Sequence, residues 1–558
     1  MSCGQVKEQT ISRQPCAERV WVIGLDGATF RLLDPFGERG WMPNLTKLAH
    51  EGTTAVLRST LPPITAPAWT SFLTGCNPGR HGVYAFRGPL RSDGQRPVCN
   101  AAAIRAPQTW QFLESFGLSS GLINVPVNYP VQPLDGYMVA GMLVPDGDLA
   151  VAYPAEVQEM LRAQGYVVDL HVGRRERQTH TPEEVIRLAD DVIATVQKRL
   201  QAALQLLAQR PTFFFTIVFV APDRIQHYAW RYLERLIHEG DAARGDPACQ
   251  RLLSVYQELD RAVGELLAHC DERTAVIVMS DHGFCALHSR FHLNDWLSRH
   301  GWLKFKSGAR SARQQAKRAR LWLKRLLPRR LLLWGRRALA VDQTVDWDNT
   351  LAYAGDVSES AIYLNVRGRE PQGTVEPGEP YYQLRAEIAA ALQELRDPRS
   401  GLPVMKYVAQ REEAYEGPYL DLAPDIVFEV AEGYEATPEV ALEGDLFTDV
   451  SAEGRGAHER DGILIAAGAG IRHSLARGQA GIADIAPTVL YLFGLPVPAE
   501  MDGRVIEEVV AAEWLAARPP RRESLATPVA GHPADSASYS ADEQRLLEQR
   551  LSDLGYLG

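Results

Sequence analysis

Residues 275–284 read AVIVMSDHGF. A β-branched run ends at Ser280, Asp281 and His282 follow at once, and Gly283 permits a turn. A carboxylate beside an imidazole, at the mouth of a buried parallel strand, is a natural half-site for a divalent metal. Residues 213–227, FFFTIVFVAPDRIQH, repeat the arrangement. Here an apolar strand leads into Asp223 and His227, and four residues on a helix put both side chains on one face. Working outward, RVWVIGLD (19–26) is a third short strand, ending in Asp26 and Gly27. Further apolar strands are expected at 120–124, 361–366, 425–430 and 463–467. Helical patterns lie between most of them, at 42–52, 67–75, 155–164, 182–208, 249–269, 379–395 and 484–493. Alternating strands and helices predict an α/β fold with a mainly parallel sheet covered on both faces.

Composition narrows the function. With 46% apolar and 23% charged residues, the 558-residue chain reads as an ordinary globular enzyme. A net charge of -10 argues against a nucleic-acid partner. Seven cysteines form no CxxC pair and read as reduced thiols. The first twenty residues lack a long apolar stretch, so no signal peptide is expected and the protein is expected in the cytoplasm. The longest apolar run, near Phe213, is about half the ~20 residues of a membrane span.

Thr65 lies in LPPITAPAWTSFLTGCNPGRHG (61–82). Pro67 suits the first turn of a helix, so Thr65 stands at a helix N-terminus. Two readings follow. Its hydroxyl is a helix cap, or it faces an anion drawn to the positive end of the helix.

Six blocks now stand in order: VIGLDGATF (22–30), PPITAPAWTSFLTGCNPGRHGV (62–83), APDRIQH (221–227), SDHGF (280–284), GAHERDGI (456–463) and DIAPTVLYLFGLP (484–496). Together they resemble the alkaline phosphatase superfamily, nearest its type I phosphodiesterase/nucleotide pyrophosphatase branch. The likeness spans about 19–505. It implies a three-layer α/β/α alkaline-phosphatase-like core and two divalent ions, usually Zn²⁺, with Mn²⁺ or Fe²⁺ as alternatives. By this resemblance Asp223, His227 and His458 hold the first ion. Asp26, Asp281 and His282 hold the second, with Thr65 as a metal-activated nucleophile. The implied reaction is hydrolysis of a small anionic phosphodiester through a phosphothreonine intermediate. Phosphomonoester hydrolysis or phosphomutase chemistry is the rival at the same site. A catalytically silent adaptor is the rival of another class. Sulfate esters are disfavoured, because sulfatases of the superfamily carry a modified Cys or Ser where this chain has Thr65. The resemblance also implies an Asn closely following the nucleophile, on a phosphate oxygen. The third position after Thr65 is Ala68, followed by Trp69. Asn124, Asn128, Arg87 and Trp69 are the candidates for contacting substrate in its place.

The expected organisation is a flexible 1–18, a catalytic domain over 19–515, a linker over 516–542 and a C-terminal helix over 543–558. Within the domain, 301–345 reads as a basic amphipathic insertion. Residues 301–340 hold thirteen Lys or Arg and no Asp or Glu, leaving -23 on the remainder of a chain of net charge -10. This segment admits three readings: a solvated helical face, a cap that attracts anionic substrate, or a peripheral contact with anionic membrane.

Overall fold

The structure is a computed structural model that describes residues 14–90, 96–145, 150–170, 181–306, 345–357, 359–441, 445–525 and 539–557. At its centre is a nine-stranded sheet. Its strands run, from edge to edge, Gly478–Gly481, Thr53–Arg58, Asp461–Gly468, Thr274–Met279, Arg19–Leu25, Phe214–Phe219, Ser120–Val125, Gly136–Ala140 and Ala152–Tyr153. The five strands from Thr274–Met279 to Gly136–Ala140 are mutually parallel. Alternation sends Trp21, Ile23 and Leu25 to one face and Val20 and Val22 to the other. Helices Phe30–Glu38, Pro43–Glu51, Pro182–Gln209, Ala221–Glu239 and Pro247–Leu267 cover the first face. Helices Thr65–Thr74, Thr109–Ser115 and Ile485–Leu492 cover the second. The three-layer α/β/α architecture is therefore present.

Two expected strands do not join this sheet. Ala361–Leu364 and Ile426–Val430 belong to a separate antiparallel sheet, ordered Ala352–Ala354, Ala361–Leu364, Ile426–Val430 and Met405–Gln410. Helix Glu379–Gln393 packs on it around a core of its own that includes Ile362, Ile388 and Phe428. Apolar runs separated by a helix look alike in sequence whether the strands pair parallel or antiparallel. The strand Asp461–Gly468 is in the central sheet but antiparallel to both neighbours.

The stretch expected as a linker is ordered where it begins. Helix Ala512–Ala517 leads to Arg522–Glu523, which pairs with Val497–Pro498. Its residues 526–538 lie outside the described residues, as do 1–13 and nearly all of the basic segment, 307–344. The C-terminal helix runs from Ala541 to Leu554. Among the described residues, no helix is long and apolar enough to cross a membrane.

Candidate two-metal active site

Three adjacent parallel strands end at the same edge and deliver a carboxylate each. Asp26 follows Arg19–Leu25, Asp223 opens the helix after Phe214–Phe219, and Asp281 follows Thr274–Met279. Carboxyl ends of parallel strands are where α/β sheets place ligands, because the chain there leaves the sheet in loops. The backbone ties the three together. Asp223 N–H donates to the Asp26 carbonyl at 3.0 Å. Gly27 N–H donates to Asp281 Oδ1 at 3.1 Å. Gly27 has φ +71°, and a Cβ there would stand 2.8 Å from the Phe284 ring and 3.2 Å from the Asp223 Cα. Only glycine fits that close approach.

Each carboxylate has one oxygen held and one oxygen bare. Trp69 Nε1 donates to Asp26 Oδ2 at 3.0 Å. The indole reaches it by lying over Gly24, where a Cβ would collide with the ring at 2.3 Å. Arg224 and the Tyr556 hydroxyl donate to Asp223 Oδ2 at 2.5 and 3.0 Å. The remaining oxygens, Asp26 Oδ1, Asp223 Oδ1 and Asp281 Oδ2, are buried and meet no hydrogen-bond donor among the described residues. An uncompensated buried carboxylate oxygen is costly. Three of them in one place fit cation ligation.

The imidazoles point the same way. His458 sits in the short strand Gly456–Glu459, opposite Phe284 in Gly283–Ala286. Its Nδ1 lies 2.9 Å from the Pro63 carbonyl, and His282 Nδ1 lies 3.2 Å from the Gly283 carbonyl. A carbonyl only accepts, so each Nδ1 carries the proton and each Nε2 offers a lone pair. His458 Nε2 is 2.9 Å from His227 Nε2, and Asp223 Oδ1 is 3.2 and 3.3 Å from these two nitrogens. Ligands ~2.1 Å from one tetrahedral centre lie roughly 3.4 Å apart, so this triangle has dimensions that suit a divalent metal ion. In the second set, His282 Nε2 lies 3.3 Å from Asp281 Oδ2, 3.7 Å from Asp26 Oδ1 and 3.4 Å from Thr65 Oγ1. The donor sets Asp223/His282/His458 and Asp26/Asp281/His282 each converge within 4.8 Å. His282 stands at the junction of the two halves, its ring stacked on His458 at 3.7 Å.

The electrostatics of the halves differ. Burial, with the neighbouring charges of Asp281 and Asp223, raises the Asp26 carboxyl well above the usual range. Burial pushes Asp281 up to about 8. Burial also works against a charge on Asp223, but the Arg224 guanidinium on its Oδ2 opposes that and holds the carboxyl low. Burial keeps His227 and His282 neutral, the form a metal ligand needs.

The seven residues read from the sequence as ligands or nucleophile thus converge, while three of the four substrate candidates have their polar groups engaged elsewhere. Trp69 supports Asp26. Asn128 spends its amide on the Val139 carbonyl and the Gly141 N–H. Arg87 is paired with Asp356 at 2.7 Å. Asn124 Oδ1 accepts from the Tyr166 hydroxyl at 2.8 Å, but its Nδ2 is buried and meets no partner among the described residues. Ala68 is buried in the apolar layer beside Phe72, so its methyl group fills core. Thr65 is the first residue of its helix, and Ile64, not Thr65, occupies the capping position. Tyr556 and Arg224 were not apparent from spacing. Arg224 adjoins a ligand in sequence and could have been suspected; Tyr556 is 333 residues from its partner.

A cleft of about 590 Å³ opens from His227 and His458 toward the antiparallel lobe. Met405, Phe428 and Val430 form its apolar wall, and Arg31, Lys406 and Glu429 its charged rim.

The sequence model of the type I phosphodiesterase / nucleotide pyrophosphatase family matches residues 20–458. No curated protein matches the chain in sequence. Among solved structures, it is similar to phosphonoacetate hydrolase from Sinorhizobium meliloti 1021 in complex with phosphonoformate. That match has a TM-score of 0.53 at 17% identity and covers 86% of this chain and 95% of the other. It is also similar to wild-type alkaline phosphatase PafA, with a TM-score of 0.50 at 13% identity, covering 89% and 100% of the two chains. At these identities the likeness is one of fold.

Proposed function

The chain belongs to the type I phosphodiesterase/nucleotide pyrophosphatase family and is a phosphoester hydrolase, and from that premise we propose that it cleaves phosphodiesters through a phosphothreonine formed on Thr65. The observation that carries this reading is the set of three bare, buried carboxylate oxygens facing three imidazoles and one hydroxyl. Asp223, His227 and His458 would hold one divalent ion, and Asp26, Asp281, His282 and Thr65 the other, with Zn²⁺ best suited to the mixed oxygen and nitrogen donors. When bound, two such ions supply the Lewis-acid charge that activates a hydroxyl and stabilises attacking and leaving oxygens.

Thr65 Oγ1 attacks phosphorus, the bond to the leaving alcohol breaks, and water then hydrolyses the phosphothreonine. The phosphoryl group meets the N-terminal end of helix Thr65–Thr74, whose dipole favours anions. The cleft supports a diester over a monoester. A diester keeps a second alcohol group during attack, and the cleft of about 590 Å³ beside His227 and His458 gives that group room.

The test is a metal analysis joined to a substrate panel of aryl phosphodiester, phosphomonoester and sulfate. The expected result is two divalent ions per chain, with diester hydrolysis that chelation abolishes and Zn²⁺ or Mn²⁺ restores. Full activity in ion-free protein would sink the assignment. A faster monoester would replace the diester as substrate and keep the site.

A further inference from the structure

The last residues of the chain return to the catalytic centre. Helix Ala541–Leu554 buries Leu547, Leu551 and Leu554 in the same apolar layer that covers the first face of the central sheet. The segment is tied to the rest of the fold at several points. The Tyr539 hydroxyl donates to the Leu143 carbonyl, Arg550 donates to the Val144 carbonyl, and the Tyr228 hydroxyl donates to the Asp553 carbonyl.

The helix then stops in a way that turns the chain inward. Gly555 adopts φ +93°, Gly555 N–H bonds the Ser552 carbonyl, and Tyr556 N–H bonds the Leu551 carbonyl. This is a Schellman end, and it requires a residue that accepts positive φ. The turn delivers Tyr556, only 2% exposed, between the Phe86, His227 and His458 rings at centroid distances of 4.6, 5.5 and 5.9 Å. Its hydroxyl donates to Asp223 Oδ2 at 3.0 Å and accepts from Arg224 Nη1 at 3.3 Å. Arg224 is in turn held by Asp169 at 2.7 Å.

We infer that the C-terminal tail is a working part of the active site, in which Tyr556 is the positioning residue that fixes Asp223 Oδ2 and so aims Asp223 Oδ1 at the first metal position. The inference rests on the two-ion reading above. A carboxylate turns about its Cβ–Cγ bond, and a donor on the outer oxygen determines which way the inner one faces. Such outer partners typically change metal affinity about 10- to 100-fold when removed. Gly555 and Tyr556 also wall the cleft beside His227 and His458. Seating of the tail therefore shapes the cleft as it orders the ligand.

The experiment measures Zn²⁺ affinity directly, by competition with a chromophoric chelator, in full-length wild type, Tyr556→Phe and Leu547→Ala. Tyr556→Phe keeps the ring and removes one oxygen. It is expected to weaken one of the two ions about 10- to 100-fold, leaving the other unchanged and the ion-free melting temperature nearly so. Leu547→Ala removes buried apolar contact remote from Asp223 and is expected to lower the melting temperature without changing affinity in the folded protein. Two ions bound as tightly in Tyr556→Phe as in wild type would overturn the positioning role alone. A wild type that takes up no ion would overturn the two-ion reading and this inference with it.

Discussion

The half-site of Asp223, His227 and His458 sets one carboxylate among imidazoles and a guanidinium. The half-site of Asp26, Asp281 and His282 sets two carboxylates side by side with one imidazole. In the first, local partners hold the carboxyl low even though it is buried. In the second, burial raises both carboxyls, Asp281 to about 8. The first half thus has a guanidinium on its one carboxylate, while the second sets two carboxylates together with no guanidinium or ammonium on their oxygens among the described residues. The scaffolds differ too. The second half rests on strand ends and on helix Thr65–Thr74, which supplies both the proposed nucleophile and Trp69. The first depends on elements distant in sequence, including the tail. Where charge is preorganised but unbalanced, a bound ion contributes most, because mutual repulsion opposes both carboxylates ionising without it.

The largest expected effect falls on the second half. Thr65→Ala removes the proposed nucleophile but no capping side chain, since Ile64 is the capping residue. Turnover is expected to fall roughly 10⁴-fold or more, as with nucleophile removal elsewhere. Fold and ion content should persist, as metal analysis and thermal unfolding would show. Near-normal turnover with a lowered melting temperature would assign Thr65 a structural role and leave the Asp-rich half without its nucleophile.

Next comes Trp69→Phe, which removes the donor to Asp26 Oδ2 and leaves an aromatic ring over Gly24. The expected loss is about 10- to 100-fold in affinity for one ion, with roughly 1–3 kcal/mol of stability from imperfect packing. Equilibrium dialysis of Trp69→Phe beside Tyr556→Phe sharpens the contrast. Each variant should weaken a different ion, so the double variant should show two independent losses. If both weaken the same ion, the division into halves is wrong.

Much of this site was legible because its proposed ligands obey one local rule. Asp26, Asp223 and Asp281 each follow an apolar run, and the end of a buried parallel strand is recognisable from the run alone. His282 and His227 sit beside or one helical turn from those carboxylates. The antiparallel lobe was not legible, since Ala361–Leu364, helix Glu379–Gln393 and Ile426–Val430 imitate a strand–helix–strand unit of the central sheet. Pairing partner and direction are tertiary facts that no spacing encodes. Tyr556 was hidden for the same reason: its work is done across 333 residues. The Gly555 stop signal shows that the helix ends, not where the next side chain lands. Ala68, read from the sequence as a position without the expected amide, is one the structure uses for packing.

The smallest expected effect concerns how helix Thr65–Thr74 is held. His81 is fully buried, and its Nδ1 accepts from Val83 N–H at 3.2 Å. Its Nε2 is therefore the protonated nitrogen and donates to Ser71 Oγ at 2.9 Å, on the helix that carries Thr65. Burial drives the imidazole down to about 3 from 6.5. In the unfolded chain His81 takes up a proton below about 6.5, while in the folded chain it stays neutral. Its contribution to stability is therefore full above that pH and is lost as pH falls from 6.5 toward 3, at up to ~1.4 kcal/mol per pH unit. His81→Gln retains an N–H donor and an acceptor but does not titrate. Chemical denaturation from pH 7 to pH 4 should give a shallower decline for His81→Gln than for wild type. Parallel curves would mean that acid reaches the protein elsewhere, and that the helix carrying the nucleophile does not depend on a neutral His81.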